Sequence, residues 1–518
     1  MILATSNQIK LIDEKASDLL GIPLYELIGR AGEAIAKAVR ELVPIASKVI
    51  FLAGKGNNGA DGYAAAKLLL SDYDVLVYDV FGVGQKGEDG KRYFDEFCSL
   101  GGIVRPYSDP ADLSADIAGA VAVIDAIFGT GVGGKLPDLL LEVAEIIRGA
   151  EGVIKIAVDL PLGVRADDGS IDREYVYQAD ATVTLCLPKP ALYSYPAKKY
   201  VGKVIFDNIN LQIDSIIDKN EFLYRLVDDK EITDLLPIRE DNSNKGSFGK
   251  LLMITGSSEY SGAGRLSLEA ALRGGVGLVT CLTEHALSDA LLKDFPEAIY
   301  KERKEFSELR NTDMKEIIEL ANKHNAVLIG SGCARSSGLF NLVTELLSSY
   351  SGYLILDADA INVLSENGKP SLEAIRDSSA KVIITPHPLE FARLSGLSVE
   401  AVNAARISVA REFSQRYNCI TVLKGAATVT TDGERVFINS SGSSALAKAG
   451  SGDVLAGALA SLVASSSKPL LASAAAAYLH GRAADDLSDE FSTYGVTPSD
   501  LPKQIARNIA KITNNSCQ

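Results

Sequence analysis

The run FLAGKGNNGADGY, residues 51–63, sets Asn57, Asn58 and Asp61 among the glycines at 54, 56, 59 and 62. Glycine lets a backbone approach a ligand closely, and the amides at the start of the helix that must follow favour an anion such as a phosphate. The spacing is neither that of a Walker A loop nor that of the dinucleotide GxGxxG turn. Two further loops carry acids: VIDAIFGTGVGGKL places Asp125 just before a flexible stretch at 129–135, and IAVDLPLGV presents Asp159. Asn58, Asp125 and Asp159 offer oxygen ligands for a hard cation, or one carboxylate for proton transfer. Any one such Asp alone reads as a cap or turn residue. Three polar strand ends facing one crevice favour chemistry.

The second half holds a different set. In Asn244–Thr280 a glycine-rich loop and a strand precede a small-residue helix with Gly262, Ala263, Gly264 and Ala270, which suits close approach of either a nucleotide or another helix. In ITPHPLEFARL, Pro386 and Pro388 stiffen a strand end that carries His387 and Glu390; a satisfied turn histidine is the plain alternative. VLKGAATVTTDG puts Lys424 at a strand end and Thr428 in the next strand. In NSSGSSALAKAGSGDVLAGALASL, residues 439–462, the turn AGSGD opens a long apolar helix. The amides of Gly450, Ser451 and Gly452 then form an anion hole suited to a phosphoryl group in transfer. Asp453 is either a helix cap, worth typically ~1 kcal/mol, or a base that accepts a hydroxyl proton. The small residues and the anion hole beside it favour the base.

These loops need strands and helices to hold them, and the hydrophobic pattern supplies both. Strands are expected at 49–53, 75–80, 121–126, 154–158 and 181–187, with helices at 63–70, 89–100 and 139–148 between them and a largely helical region at 6–43. Several strand runs are apolar on both faces, the mark of a parallel sheet covered on both sides. Alternation fails near 212–228, read as a linker, and resumes with strands at 251–255, 278–282, 326–330, 353–357, 382–385, 420–424 and 428–431. Helices are expected there at 263–272, 314–323, 401–416 and 453–463. The fold class is α/β throughout, in two domains.

With 518 residues the chain exceeds one core. Its net charge of −15 disfavours a DNA or RNA backbone as partner but leaves small phosphorylated ligands open. Cys98, Cys186, Cys281, Cys333, Cys419 and Cys517 are scattered, without CxxC, as in a reduced cytoplasmic protein. The start lacks a basic and then apolar leader. Val454–Leu479 is too interrupted for a membrane span and reads as two buried helices.

GNNGADGY, DAIFGTG and VDLP, in that order, resemble the NAD(P)H-hydrate epimerase family over about residues 1–215. The likeness implies a Rossmann-like three-layer α/β/α domain. It implies contact of the hydrated nicotinamide nucleotide with Asn57, Asn58, Gly59, Ala60, Asp61, Gly129, Thr130, Gly131, Val132, Gly133, Gly134, Lys135 and Asp159. Asn58, Asp125 and Leu162 would hold a potassium ion, and Asp159 would act as acid/base at the hydrated carbon. Ala60 replaces a glycine of the family pattern, and Leu162 a serine, so that only a backbone carbonyl remains there as a ligand.

TGSSEYSGAG, IGSG, TPHPLEF, LKGAAT and AKAGSGDVLAG resemble the ADP- or ATP-dependent NAD(P)H-hydrate dehydratases of the ribokinase-like superfamily, over roughly 228–515. By that likeness Gly332, His387, Pro388, Leu389, Glu390, Phe391, Ala392, Arg393 and Asp453 face the hydrated nucleotide. Lys424, Gly425, Ala426, Ala427 and Thr428, with Ser443, Ser444, Ala445, Leu446, Ala447, Lys448, Ala449, Gly450, Ser451 and Gly452, hold ADP or ATP with magnesium, and Asp453 is catalytic. Leu389 and Ala449 stand where the family has glycine, and GSGCA where it has GPGLG. The fusion resembles the bifunctional repair enzymes for hydrated NADH and NADPH, which implies ADP, or ATP, as the phosphoryl donor; a homo-oligomer with no nucleic-acid or membrane partner is expected. A small-molecule kinase of the same superfamily, fused to a non-catalytic nucleotide-binding domain, is the alternative.

Overall fold

The computed structural model describes residues 1–82, 87–131 and 134–515. The chain divides into two compact units, Ile2–Tyr224 and Arg225–Gln518, with Met1 counted in the second.

The first unit is built on seven strands: β1 (Lys48–Ala53), β2 (Asp74–Asp79), β3 (Ile103–Pro106), β4 (Ala122–Ala126), β5 (Ile154–Val158), β6 (Ala181–Leu185) and β7 (Lys203–Asp207). They lie in the order β3-β2-β1-β4-β5-β6-β7, and every pairing is parallel. The first six repeat the doubly wound order, whose reversal between β1 and β4 opens a crevice at the strand ends. Alternation of side chains explains the layers. Val49, Phe51 and Ala53 of β1 join the core that includes Ile28, Ile35 and Val39 of helix Leu24–Leu42. Ile50 and Leu52 join the opposite core with Leu140, Val143 and Ile147 of helix Leu139–Gly149. Burying each such side chain contributes roughly 1.5–3 kcal/mol, so both sheet faces resist unfolding.

The second unit continues with β8 (Lys250–Ile254), β9 (Leu278–Thr283), β10 (Ile299–Glu302), β11 (Ala326–Ile329), β12 (Tyr353–Leu356), β13 (Lys381–Ile384), β14 (Ile420–Leu423), β15 (Val429–Thr431) and β16 (Val436–Ile438). Their order is β16-β15-β14-β13-β12-β11-β8-β9-β10. From β14 to β10 the sheet is parallel, and β14–β15–β16 form an antiparallel border. One face packs on helices Ser261–Arg273, Ser451–Ala464 and Pro469–Gly495. The small-residue helix serves helix packing: a side chain at Gly457 of Ser451–Ala464 would sit 2.0 Å from the carbonyl oxygen of Ser267. Gly262, by contrast, faces open space.

Six strands exceed the expected set: β3, β7, β10 and β16, and the two-residue strands Ile2–Leu3 and Tyr224–Arg225. β3 and β10 sit at sheet edges, as β7 does in its own sheet, where solvent on one side weakens the apolar pattern. The helix expected at 401–416 is two, Val399–Ala404 and Arg406–Tyr417. The apolar stretch is indeed two helices, and none of the described helices is long and apolar enough to cross a membrane. Cys98, Cys186, Cys281, Cys333 and Cys419 are free thiols; Cys517 lies outside the described residues.

Candidate functional site

In the first unit the loops after β1, β4 and β5 all leave the carboxyl ends of neighbouring strands. The GNNGAD run becomes the first turn of helix Asn57–Leu69, with Gly56 as its cap and no side chain capping it. Close packing of two loops demands glycine at Gly54, where a side chain would lie 1.9 Å from the Ile127 carbonyl oxygen. Gly54→Ala should therefore cost about 1–3 kcal/mol, read as a lower urea midpoint. Gly129 lies over the centre itself: a Cβ there would stand 2.8 Å from Asp159 Oδ2 and 3.0 Å from Asn58 Oδ1.

Asp159 adopts a left-handed backbone, φ 66°, a conformation that costs a non-glycine residue free energy and concentrates at functional sites. Its carboxylate pairs with the ammonium of Lys189 and accepts a bond from the Thr130 amide at 3.2 Å. Lys189, which the sequence reading missed, is 1% exposed and also donates to the Leu185 carbonyl at 2.9 Å. Asp13, also missed, comes from helix Ser6–Leu20, and burial pushes its carboxyl up to about 6, with Lys189 opposing and Asp159 adding. Burial raises Asp61 well above the usual range, and the charges of Asp159 and Asp13 add to that. Neither Asp13 nor Lys189 lies in a glycine-rich run or at a strand's end, so the sequence offered no local signal.

Asp125 has a different character. It is 1% exposed. Its oxygens accept from the amides of Ile127 at 3.0 Å and Leu162 at 2.9 Å and from the Tyr177 hydroxyl at 3.0 Å. Burial pushes it up to about 6 against those three donors. Leu162 buries its side chain in the core, so only its carbonyl is available to a cation. Asn58 is buried with its amide nitrogen unpartnered. The hard oxygens of this set, amide, carboxylate and carbonyl, are of the kind a potassium ion takes. Thr130 meets Asp159, and Lys135 is 80% exposed and paired with Asp138. Ala60 is buried, Gly131 faces open space and Gly134 accepts from Arg165. Val132 and Gly133 lie outside the described residues.

In the second unit, Asp357 follows β12 and is the hub that the sequence reading passed over. It is 1% exposed. It accepts from Ser331 Oγ at 2.8 Å, from Thr385 Oγ1 at 2.6 Å and from Lys424 Nζ at 2.9 Å. Those donors follow β11, β13 and β14, so one carboxylate ties four adjacent strand ends together. Its signal was available, since an Asp ending an apolar strand is the pattern that singled out Asp125 and Asp159.

Lys424 reaches the AGSGD turn: its Nζ lies 3.4 Å from where a Gly452 side chain would begin. Gly450 caps helix Ser451–Ala464 with φ 99°, and Asp453 stands in the helix's first turn. Burial, then the charge of Asp357, pushes Asp453 up to about 7, with Lys424 opposing and Asp359 adding. Beneath the turn, His480 is buried with Nε2 unpartnered, as is Ser451 Oγ; burial holds the imidazole down at about 4, so it is neutral.

His387 caps helix Pro388–Ser395: its Nδ1 accepts from the Glu390 amide at 3.2 Å, and Glu390 accepts from the His387 amide at 2.8 Å. Burial, then Lys424, lowers His387, while burial raises Glu390. Of the same segment, Phe391 and Ala392 turn into the core, Leu389 is exposed and Arg393 meets Asn362 at 3.3 Å. Gly332, φ 64°, lies against Ala263 and Tyr260. Gly425 packs on the guanidinium of Arg406, and Thr428 donates to the Gly425 carbonyl at 3.1 Å. Ala426 is exposed and Ala427 buried. Ser443 caps the short turn Ser444–Leu446, within which Ala445 is buried, while Ala447 and Ala449 are exposed. Lys448 donates to the carbonyls of Tyr494, at 2.7 Å, and Val496, so the fold already uses its ammonium.

Comparison with known proteins matches both halves. The family model described as YjeF-related protein N-terminus covers residues 24–191, and that described as NAD(P)H-hydrate dehydratase covers 251–507. A bifunctional NAD(P)H-hydrate repair enzyme of Thermofilum pendens is 32% identical over 504 residues, 96% of this chain and 94% of its own. Its counterpart from Escherichia coli is 31% identical over 497 residues, 96% and 91% of the two chains. The ADP/ATP-dependent NAD(P)H-hydrate dehydratase of Bacillus subtilis, co-crystallised with ATP and magnesium, is 28% identical, covering 55% of this chain and 98% of its own with a TM-score of 0.49.

Proposed function

This chain belongs to the family of bifunctional NAD(P)H-hydrate repair enzymes, and we propose that its two units divide the work between the two centres described above. The first unit, Ile2–Tyr224, interconverts the epimers of hydrated NADH or NADPH. The second unit, Arg225–Gln518, dehydrates the S epimer and regenerates the reduced cofactor. The observation that carries this reading is the meeting of Asp453 with Lys424 and Asp357 at an open helix terminus.

Hydroxide is a poor leaving group, so the hydroxyl on the sixth ring carbon must first become a phosphate ester. Asp453 takes the hydroxyl proton as that oxygen attacks the terminal phosphorus of ADP or ATP. The amides of Gly450 and Gly452 receive the charge developing on the transferred group; the Ser451 amide, expected to join them, donates instead to the Lys448 carbonyl at 3.2 Å. Lys424, held by Asp357, aims a fixed positive charge at the same place. Magnesium arriving with the nucleotide supplies further charge neutralisation, and the excess of carboxylates around Asp453 over the single Lys424 suits a divalent cation. The ring nitrogen then expels phosphate. In the first unit, Asn58, Asp125 and the Leu162 carbonyl would hold potassium, which would supply a fixed positive charge beside the hydrated ring, and Asp159 handles the proton. ADP is the donor we favour. The acidic charge disfavours a nucleic-acid partner and the free thiols of the described residues suit a reducing, cytoplasmic compartment.

The test is recovery of reduced-nicotinamide absorbance from a mixed-epimer hydrate with ADP or ATP and magnesium. Nearly complete recovery, faster than spontaneous epimerisation allows and with free phosphate released, is the expected result. Recovery of one epimer alone would remove the epimerase assignment. A stable phosphorylated product would bring forward the small-molecule kinase.

A further inference from the structure

Arg406 opens helix Arg406–Tyr417 and is only 4% exposed. Its Nη2 donates to the carbonyls of Leu423 at 2.9 Å and Lys424 at 3.0 Å, and its Nη1 to Asn403 Oδ1 at 3.4 Å. Its Nε is buried without a partner. Among the described residues no carboxylate pairs with it, and burial alone brings the guanidinium down to about 10. Taking a cation out of water without a carboxylate costs free energy, so stability is a poor reason to keep one. Apart from Asn403, every bond that Arg406 makes goes to the exit of β14, where LKGAAT begins.

Peptide geometry shows what those bonds accomplish. In a planar trans peptide the carbonyl and the following amide point in opposite directions. With the Leu423 carbonyl on Arg406, the Lys424 amide faces the other way and meets the Pro386 carbonyl at 2.8 Å. With the Lys424 carbonyl on Arg406, the Gly425 amide is likewise turned away from the guanidinium. Among the described residues the amides of Gly425, Ala426 and Ala427 find no acceptor, and successive unpaired amides are the donors that hold an anion. Gly425 can press on the guanidinium because it has no side chain: a Cβ would stand 3.0 Å from Nη2, and its φ of 136° favours glycine. Lys424 is thus fixed at its amide, at its carbonyl and at its ammonium, the last on Asp357 at 2.9 Å. We propose that Arg406 is a positioning residue for the phosphoryl donor: by engaging two carbonyls it turns the unpaired amides of residues 425–427 and the Lys424 ammonium toward the nucleotide. It acts through the loop and not on the reacting atoms. This rests on the dehydratase reading and deepens it.

The experiment measures dehydration of the S hydrate by the full chain, varying ADP or ATP and the hydrate in turn. Arg406→Met should raise the KM of the nucleotide about tenfold or more, since bonds from a charged donor are lost, while the KM of the hydrate stays within about twofold. Arg406→Lys keeps the charge, but its shorter stem and missing fork give up the two carbonyl bonds. The same split should therefore appear, at about threefold or more. A nucleotide KM within about twofold of wild type in Arg406→Met overturns the assignment. So does a hydrate KM that rises as far as that of the nucleotide, which marks general damage to the fold. If Arg406→Met does not fold, Arg406→Lys decides alone: the split upholds the assignment, and an unchanged nucleotide KM overturns it. A wild-type chain that dehydrates nothing with either nucleotide defeats the dehydratase reading itself, which separates the two failures.

Discussion

Asp453→Asn should slow dehydration by about 10²–10⁴-fold, the range a positioned general base contributes, while leaving epimerisation intact. Asparagine keeps the shape of the first turn of helix Ser451–Ala464 and removes only the basic oxygen. The pH profile gives a second reading. Burial and Asp357 push the Asp453 carboxyl up to about 7, and a base acts only when ionised, so kcat of the wild type should fall as pH drops below about 7 and level off above it. Stability should move the other way. A carboxyl raised in the folded state favours folding when protonated and loses that contribution as pH rises through its folded value. Asp453→Asn should therefore melt higher than wild type at pH 8, and the difference should vanish below pH ~4, where the carboxyl is protonated in both folded and unfolded chains. Unchanged dehydration in Asp453→Asn would reduce this residue to an ordinary acid in the helix's first turn, where it only complements the helix dipole; the cap itself is Gly450.

Replacing Asp357 by leucine should cost about 3 kcal/mol or more of stability, measured by urea unfolding of the second unit. Removing one partner of a buried ion pair leaves the other charge uncompensated, typically at 3–5 kcal/mol. Here Ser331, Thr385 and Lys424 would all lose their acceptor. Glu390 and Asp453 still act on Lys424, which keeps the expected loss toward the low end. Adding Lys424→Met should recover most of the stability and none of the dehydration, since the pair is removed but so is the charge aimed at the AGSGD turn. Recovery of activity in the double variant would refute that role for Lys424.

The open α/β architecture of both halves was legible in the residues because parallel strands buried on both faces read as short apolar runs, and their glycine-rich exits break the pattern sharply. GNNGAD after β1 and AGSGD before helix Ser451–Ala464 announced themselves this way, and both stand at the start of a helix. The edge strands β3, β7 and β10 were not legible, since half-solvated strands lose the apolar run, and the break between Ala404 and Arg406 fell inside one continuous helical pattern.

Within the sites, sequence by itself determined which residue types were present at loops with a local signature: Asn58, Asp125, Asp159, His387, Lys424 and Asp453. Tertiary structure alone decided their company. It brought Asp13 across from the N-terminal helix and buried Lys189 against Asp159. It made Asp357 the shared acceptor of three loops, and it turned Phe391 and Ala392 inward and Lys448 onto backbone carbonyls. The reason is physical. A loop's composition follows from its own neighbours in the chain, whereas the charge on a buried carboxyl depends on desolvation and on ions that approach only once distant segments have packed.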